Sequence, residues 1–198
     1  MINAGILINH GAAQRKYSKG KIIFFEGNKA AYFFLITEGK VKMINSHESG
    51  KEFIQGLFYA GQSFGELPLF TDENIYPATA IAETDITVMR LEKMRFLELL
   101  KTNFSLHFEL TKTLAEKLRF KSLLNKEISG HTPEHLLLAL FNYLKNNEKK
   151  SQGEFMVNLT RQELANLTGL RVETVIRAVK KLEKKGKVKL VKRKIYLD

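Results

Sequence analysis

Apolar and polar positions change period along this chain. From about residue 20 to residue 91, short apolar runs alternate with turn signals. KIIFF (21–25) runs into EGNK, AYFFLIT (31–37) into Glu38-Gly39, and KVKMIN (40–45) into HESG (47–50). KEFIQGLF (51–58) ends at Ala60-Gly61-Gln62, and ATAIA (78–82) and ITVMRL (86–91) follow. β-Branched and aromatic residues with glycine breaks every dozen or so positions predict an antiparallel barrel or jelly roll.

After Leu91 the period becomes helical. KMRFLELLK (93–101) places Phe96, Leu99 and Leu100 on one face. A long helix is predicted over about 104–128 with two stripes. His107, Leu110, Leu114, Lys117, Lys121, Leu124 and Ile128 form one, and Phe104, Phe108, Ala115 and Leu118 the other. Such a helix either lies two-sided in a core or packs on its own domain and on a partner helix. Gly130 is a stop signal. Thr132-Pro133-Glu134 then reads as N-cap, N1 proline and first-turn acid for a helix to about Leu144, with Leu137, Leu140, Phe141 and Leu144 on one face. This puts a hinge at 129–131 and two domains, 1–129 and 130–198.

Charge sharpens that division. The formal net charge is +11 over 198 residues. Residues 1–130 hold 17 basic and 14 acidic groups, whereas residues 131–198 hold 15 and 7. A basic module attached to a near-neutral one points to a polyanionic partner. There is no cysteine, which removes disulfides, thiolate zinc sites and cysteine-ligated iron–sulfur clusters. No apolar run approaches the roughly 20 residues of a membrane span. The N-terminus shows no basic stretch ahead of its short apolar run, so a cytoplasmic location is expected and no membrane partner.

The chemistry concentrates in LTRQELANLTGLRVETVIRAVKKLEKKGKVKLVKRKIYL (159–197). Thr160 and Glu163 have capping-box spacing. Gly169 stands where a tight helix–helix turn needs a permissive residue. The next helix places Val172, Val175, Val179 and Leu182 on one face, and Arg171, Glu173, Thr174, Arg177, Lys180 and Lys181 on the other. KVKLV and KIYL flank Lys192-Arg193-Lys194 as two strands of a wing. The whole is a winged helix-turn-helix. A helix fits the major groove, where Arg177 is suited to guanine and Glu173 to cytosine. Thr160, Arg161 and Gln162 at the first helix's start would hold phosphates, as would Lys192 in the wing. A basic hairpin used for protein contacts is the competing reading.

These residues resemble the CRP/FNR family of bacterial transcription regulators. T-R-Q-E-L-A-N-L-T-G-L-R-V-E-T-V-I-R is similar to the family's helix-turn-helix, and V-E-T-x-x-R (172–177) is closer to its FNR branch. Ile176 replaces a small or polar residue of many members, so the half-site cannot be transferred. FFLITEGKVKMI (33–44), GKEFIQGLFYAGQSFGELPLF (50–70) and the strands to Leu91 resemble the family's cyclic-nucleotide-binding β-roll. The resemblance implies an α+β protein: an N-terminal antiparallel, jelly-roll-like β-roll, a long dimerisation helix, and a C-terminal winged helix-turn-helix. It also implies a homodimer on an inverted repeat, with Leu110, Leu114, Leu118 and Ile128 in the dimer helix. RNA polymerase would be a partner if the protein is an activator.

The implied effector pocket comprises Phe64, Gly65, Glu66, Leu67, Tyr76, Pro77 and Ala78, with Lys121 and Ser122 on the long helix. Nucleotide-binding members carry Arg and then Ser or Thr where Tyr76 and Pro77 stand. Proline offers neither hydroxyl nor N–H. A phosphate left without its cation is costly to bury. Cyclic AMP is therefore not expected. The missing cysteines remove the family's iron–sulfur sensor, and haem is not expected from lone histidines such as His10, His47, His107, His131 and His135. No cofactor is expected, and the effector, if there is one, is unidentified. A ligand-independent DNA-binding protein, its roll a dimer scaffold or partner-docking site, is the alternative. No metalloprotease, P-loop, nucleophile-elbow or dinucleotide signature is present, so no enzyme is expected.

Overall fold

The computed structural model describes residues 2–46, 52–130, 132–147 and 154–197, with side chains for all of these except 124, 127–130 and 147. The turn read at 47–50, His47, His131 and the side chain of Ile128 lie outside what is described. Two compact units divide the chain, Met1–Thr113 and Leu114–Asp198. The parting falls within the long helix, whereas the sequence placed it at that helix's end.

The first unit is an antiparallel roll of two sheets. Its strands are β1 (Ala13–Tyr17), β2 (Ile22–Phe24), β3 (Tyr32–Glu38), β4 (Lys40–Ser46), β5 (Glu52–Tyr59), β6 (Ser63–Phe64), β7 (Thr79–Ala82) and β8 (Ile86–Glu92). One sheet is ordered β1-β8-β3-β6, the other β2-β7-β4-β5. Phe33 to Ile36 of β3 are all buried, so this strand lacks the alternation of a half-exposed one. The cause is helix α2 (Lys93–Thr102) on the outer face, where Phe96 stacks on Phe33 with ring centroids 4.0 Å apart. Inside the roll, Phe34 meets Phe64 at 5.1 Å and Phe24 at 5.7 Å. Gly39, at φ 85°, makes the tight β3–β4 connection; a β-carbon there would collide with the Asp85 carbonyl oxygen. Helix α1 (Ala4–Asn9), β1 and β6 have no counterpart in the sequence pattern. The Asn3 side chain caps α1 by accepting from Ile6 N at 3.0 Å, and Leu7 anchors it by full burial.

Helix α3 (Phe104–Gly130) begins in the first unit and ends in the second. Beyond it come α4 (Pro133–Asn147), β9 (Phe155–Val157), α5 (Arg161–Thr168), α6 (Val172–Lys184), β10 (Lys189–Val191) and β11 (Lys194–Leu197). Leu137, Leu140 and Phe141 of α4, Leu164 of α5, and Val175, Val179 and Leu182 of α6 are buried as one three-helix core. Phe155, Val157, Ile195 and Leu197 close it from the sheet β10-β11-β9. Within this unit the Phe120 ring of α3 stacks on Tyr143 of α4 at 3.4 Å. Strand β9, three residues long, was not anticipated.

Candidate nucleic-acid interface and effector pocket

Helix α5 starts with the capping box its sequence announces. Thr160 Oγ1 accepts from Glu163 N at 3.1 Å, and Glu163 Oε2 accepts from Thr160 N at 2.7 Å. The pair satisfies two orphan donors, and an N-cap of this kind is worth about 1 kcal/mol. The Thr160 hydroxyl keeps its own proton to donate outward. At the other end the buried Thr168 hydroxyl donates to Leu164 O at 2.6 Å, and Gly169 turns the chain at φ 71°.

Helix α6 then divides by chemistry. Val175, Ala178, Val179 and Leu182 are buried, while Arg171, Glu173, Ile176, Arg177 and Lys180 are exposed and Thr174 is half-buried. Thirteen residues give a rod of about 20 Å, long enough to lie along a major groove. One residue of the expected contact face is assigned differently. Lys181 Nζ bonds the buried Glu134 carboxylate of α4 at 2.9 Å. That bond, ahead of a Thr132 contact, holds the Glu134 carboxyl down at about 2 against the opposing effect of burial. Lys181 thus ties α6 to α4 while its side chain stays 66% exposed.

Arg161 also has a structural task. Its Nη2 donates to the Arg193 carbonyl at 3.3 Å, tying the start of α5 to the wing, and partial burial lowers its pKa. Gln162 Nε2 turns along the helix to Asn166 Oδ1 at 2.8 Å. In the wing, Val191 pairs with Lys194, leaving a two-residue turn of Lys192 and Arg193. Both are left-handed, at φ 47° and 67°. Such turns favour Asn-Gly, and left-handed backbone costs other residues roughly 1–2 kcal/mol each. Both side chains are exposed.

The pocket residues lie in the roll. Phe64, Gly65, Glu66 and Ala78 are buried, whereas Leu67 and Pro77 are exposed. Glu66 opens a 3-10 turn (Leu67–Phe70) without capping it, and its Oε2 is a buried acceptor with no hydrogen bond among the described residues. Tyr76 is 3% exposed. Its ring stacks on Phe24 at 3.6 Å, and its hydroxyl donates to Tyr32 O at 3.3 Å. Burial pushes this phenol up to about 12, so it stays neutral. A β-carbon on Gly65 would meet Phe24 at 3.0 Å and Tyr76 at 3.3 Å. The space facing the glycine is therefore filled by rings. Pro77 contributes its carbonyl, which accepts from Asn45 Nδ2 at 2.7 Å. Phe64, Gly65, Glu66, Leu67, Tyr76, Pro77 and Ala78 include no cationic side chain. A cleft of about 220 Å³ lies beside the cluster, lined by residues including Tyr17, Asn28, Tyr32, Tyr76 and Arg90. The Arg90 guanidinium sits 4.1 Å from the centre of the Tyr32 ring. Sequence reasoning missed Phe24, Tyr32 and Arg90 because they lie on strands distant in sequence from the F-G-E-L segment.

Lys121 and Ser122 are exposed on the second unit's part of α3. The residues expected in the dimer helix differ in exposure. Leu110 is only 3% exposed and, with Leu106, is buried in the first unit. Leu114 is half-buried. The second stripe faces outward instead, with Phe104 78%, Phe108 55% and Leu118 71% exposed. The Phe104 and Phe108 rings lie 6.2 Å apart. Among the described residues no cluster of three His, Cys, Asp or Glu is placed to hold a metal, and no helix is long and apolar enough to cross a membrane.

Comparison with known proteins agrees with this division. Residues 14–103 match the cyclic nucleotide-binding domain, and residues 135–198 match the Crp-like helix-turn-helix domain. The cyclic AMP receptor protein of Thermus thermophilus is 30% identical over 89% of this chain and 80% of its own. The cAMP-activated global transcriptional regulator CRP of Salmonella typhimurium is 28% identical over 85% and 81%. The structure of the c-di-GMP-responsive global regulator CLP of Xanthomonas campestris superposes with a TM-score of 0.73 at 20% identity, covering 98% of this chain and 99% of that one. A roll of the nucleotide-binding type joined to a winged helix-turn-helix, with a relative aligned along most of both chains, places this protein in the CRP/FNR family of DNA-binding transcription regulators.

Proposed function

We propose that the protein acts as a homodimer on an inverted-repeat operator, reading each half-site with the outer face of α6, and that its roll answers to an effector other than cyclic AMP. The observation that carries the DNA reading is the split of α6. Its apolar side is buried, and Glu173, Thr174 and Arg177 are left on the side a major groove would meet. Thr160 and Gln162 at the start of α5, and Lys192 and Lys180 at the margins, would hold phosphates. Half-sites would lie about 34 Å apart, one helical turn. The experiment is equilibrium binding of Arg177→Ala to duplexes varied one base pair at a time. A loss of roughly 1–3 kcal/mol confined to one pair per half-site is expected. A loss equal for all sequences would overturn the base-reading role.

The filled interior also favours a second reading. Rings of Phe24 and Tyr76 occupy the space in front of Gly65, which suits a roll serving as a dimer scaffold or docking site without a ligand. Purified protein that binds its operator fully without any added small molecule would favour this reading over an effector-controlled one. If the protein activates transcription, RNA polymerase is its further partner.

A further inference from the structure

The two-residue turn at the tip of the wing is costly as it stands. Lys192 and Arg193 both hold left-handed backbone, at φ 47° and 67°, in a hairpin whose register leaves no other residue to share the bend. Asn-Gly would fit the same turn without strain. Strain of this kind, kept in place by its surroundings, points to a use for the side chains. The surroundings do hold it. The Arg161 guanidinium bonds the Arg193 carbonyl at 3.3 Å, and β11 is paired on both sides, to β10 and to β9. The tip is therefore fixed relative to the helix-turn-helix. Its cations are also uncommitted: among the described residues, neither Lys192 nor Arg193 has an acidic partner, whereas the neighbouring Lys189 is paired with Glu154 at 3.6 Å.

We infer that Arg193 enters the minor groove beside the half-site and favours A·T-rich steps there, so that the protein reads DNA shape at base pairs α6 does not touch. The minor groove is about 6 Å wide, too narrow for a two-stranded ribbon but open to single side chains from its apex. A two-residue apex is the narrowest a hairpin allows. A·T tracts narrow that groove and concentrate its negative potential, which draws arginine in. Arginine suits the place better than lysine because its guanidinium gives up water more readily. Lys192, beside it, would meet a phosphate.

This inference rests on the DNA-binding reading, and its test separates the two. Full-length protein is first used to select duplexes from a randomised library. It is then titrated against two versions of the selected site, identical in both half-sites but with A·T or G·C pairs in the adjoining minor grooves. Wild-type protein is expected to bind the A·T version at least about threefold more tightly. Arg193→Lys should lose most of that ratio while keeping its salt dependence. Lys192→Ala should keep the ratio and lower the salt slope by about one. The double change Lys192→Asn, Arg193→Gly should raise the melting temperature while abolishing the preference, which separates a binding role from a folding one. An unchanged ratio in Arg193→Lys, or a wild-type ratio of one, overturns the inference and leaves the DNA-binding reading standing. Failure to select any sequence overturns both.

Discussion

At the scale of single residues, Glu134 and Lys181 are the pair whose behaviour follows most directly from geometry. The carboxyl is held at about 2, below its ordinary 4.5, because Lys181 bonds its ionised form. A depressed carboxyl stabilises the folded state above its ordinary range and loses that contribution as pH falls through the folded value. Wild-type protein should therefore melt higher than Glu134→Gln near neutral pH, and the gap should close between about pH 4.5 and about pH 2. Parallel melting curves with a constant gap would show that the pair does not act this way. This pairing was not legible in the sequence, where Lys181 reads as one more cation on an outer face and Glu134 as a first-turn acid. The capping box of Thr160 and Glu163 was legible because both partners sit in one turn. The stacking of Tyr76 on Phe24 was not legible, since it depends on how distant parts of the chain meet.

At the scale of elements, the proposed dimer would assemble through α3. Leu110 is buried in the single chain, so a partner helix would meet the other stripe, Phe104, Phe108 and Leu118. Leu118→Asp, at a position exposed in the single chain, is expected to leave folding intact and shift the protein from dimer to monomer in sedimentation. Phe108→Asp should do the same. An unchanged dimer in both would move the interface elsewhere. The 4,3 spacing revealed two stripes in the sequence, but periodicity cannot say which one its own domain takes. Strands β2 to β5, β7 and β8 and helices α2 to α6 stand where the pattern put them. The short elements α1, β1, β6 and β9 escaped because three to six residues carry too little periodicity, and their stability comes from caps and pairing with distant strands.

At the scale of the whole molecule, the proposed effector is not the cyclic nucleotide of the family's roll. The roll belongs to the cyclic nucleotide-binding type, and the rings of Phe24 and Tyr76 pack in front of Gly65. Calorimetric titration of the purified protein with cyclic AMP should give no saturable heat, and micromolar binding would refute this account of the pocket. The charge asymmetry has a matching consequence: affinity should fall steeply with salt, because the basic excess lies with the helix-turn-helix and the wing. The central claim is sequence-specific DNA recognition by a symmetric dimer through α6. Selection of bound duplexes from a randomised library by full-length protein tests it most directly. The expected result is an inverted repeat with half-sites one helical turn apart, altered at one base pair per half-site by Arg177→Ala. Recovery of no common sequence, or of a single unrepeated site, would contradict it.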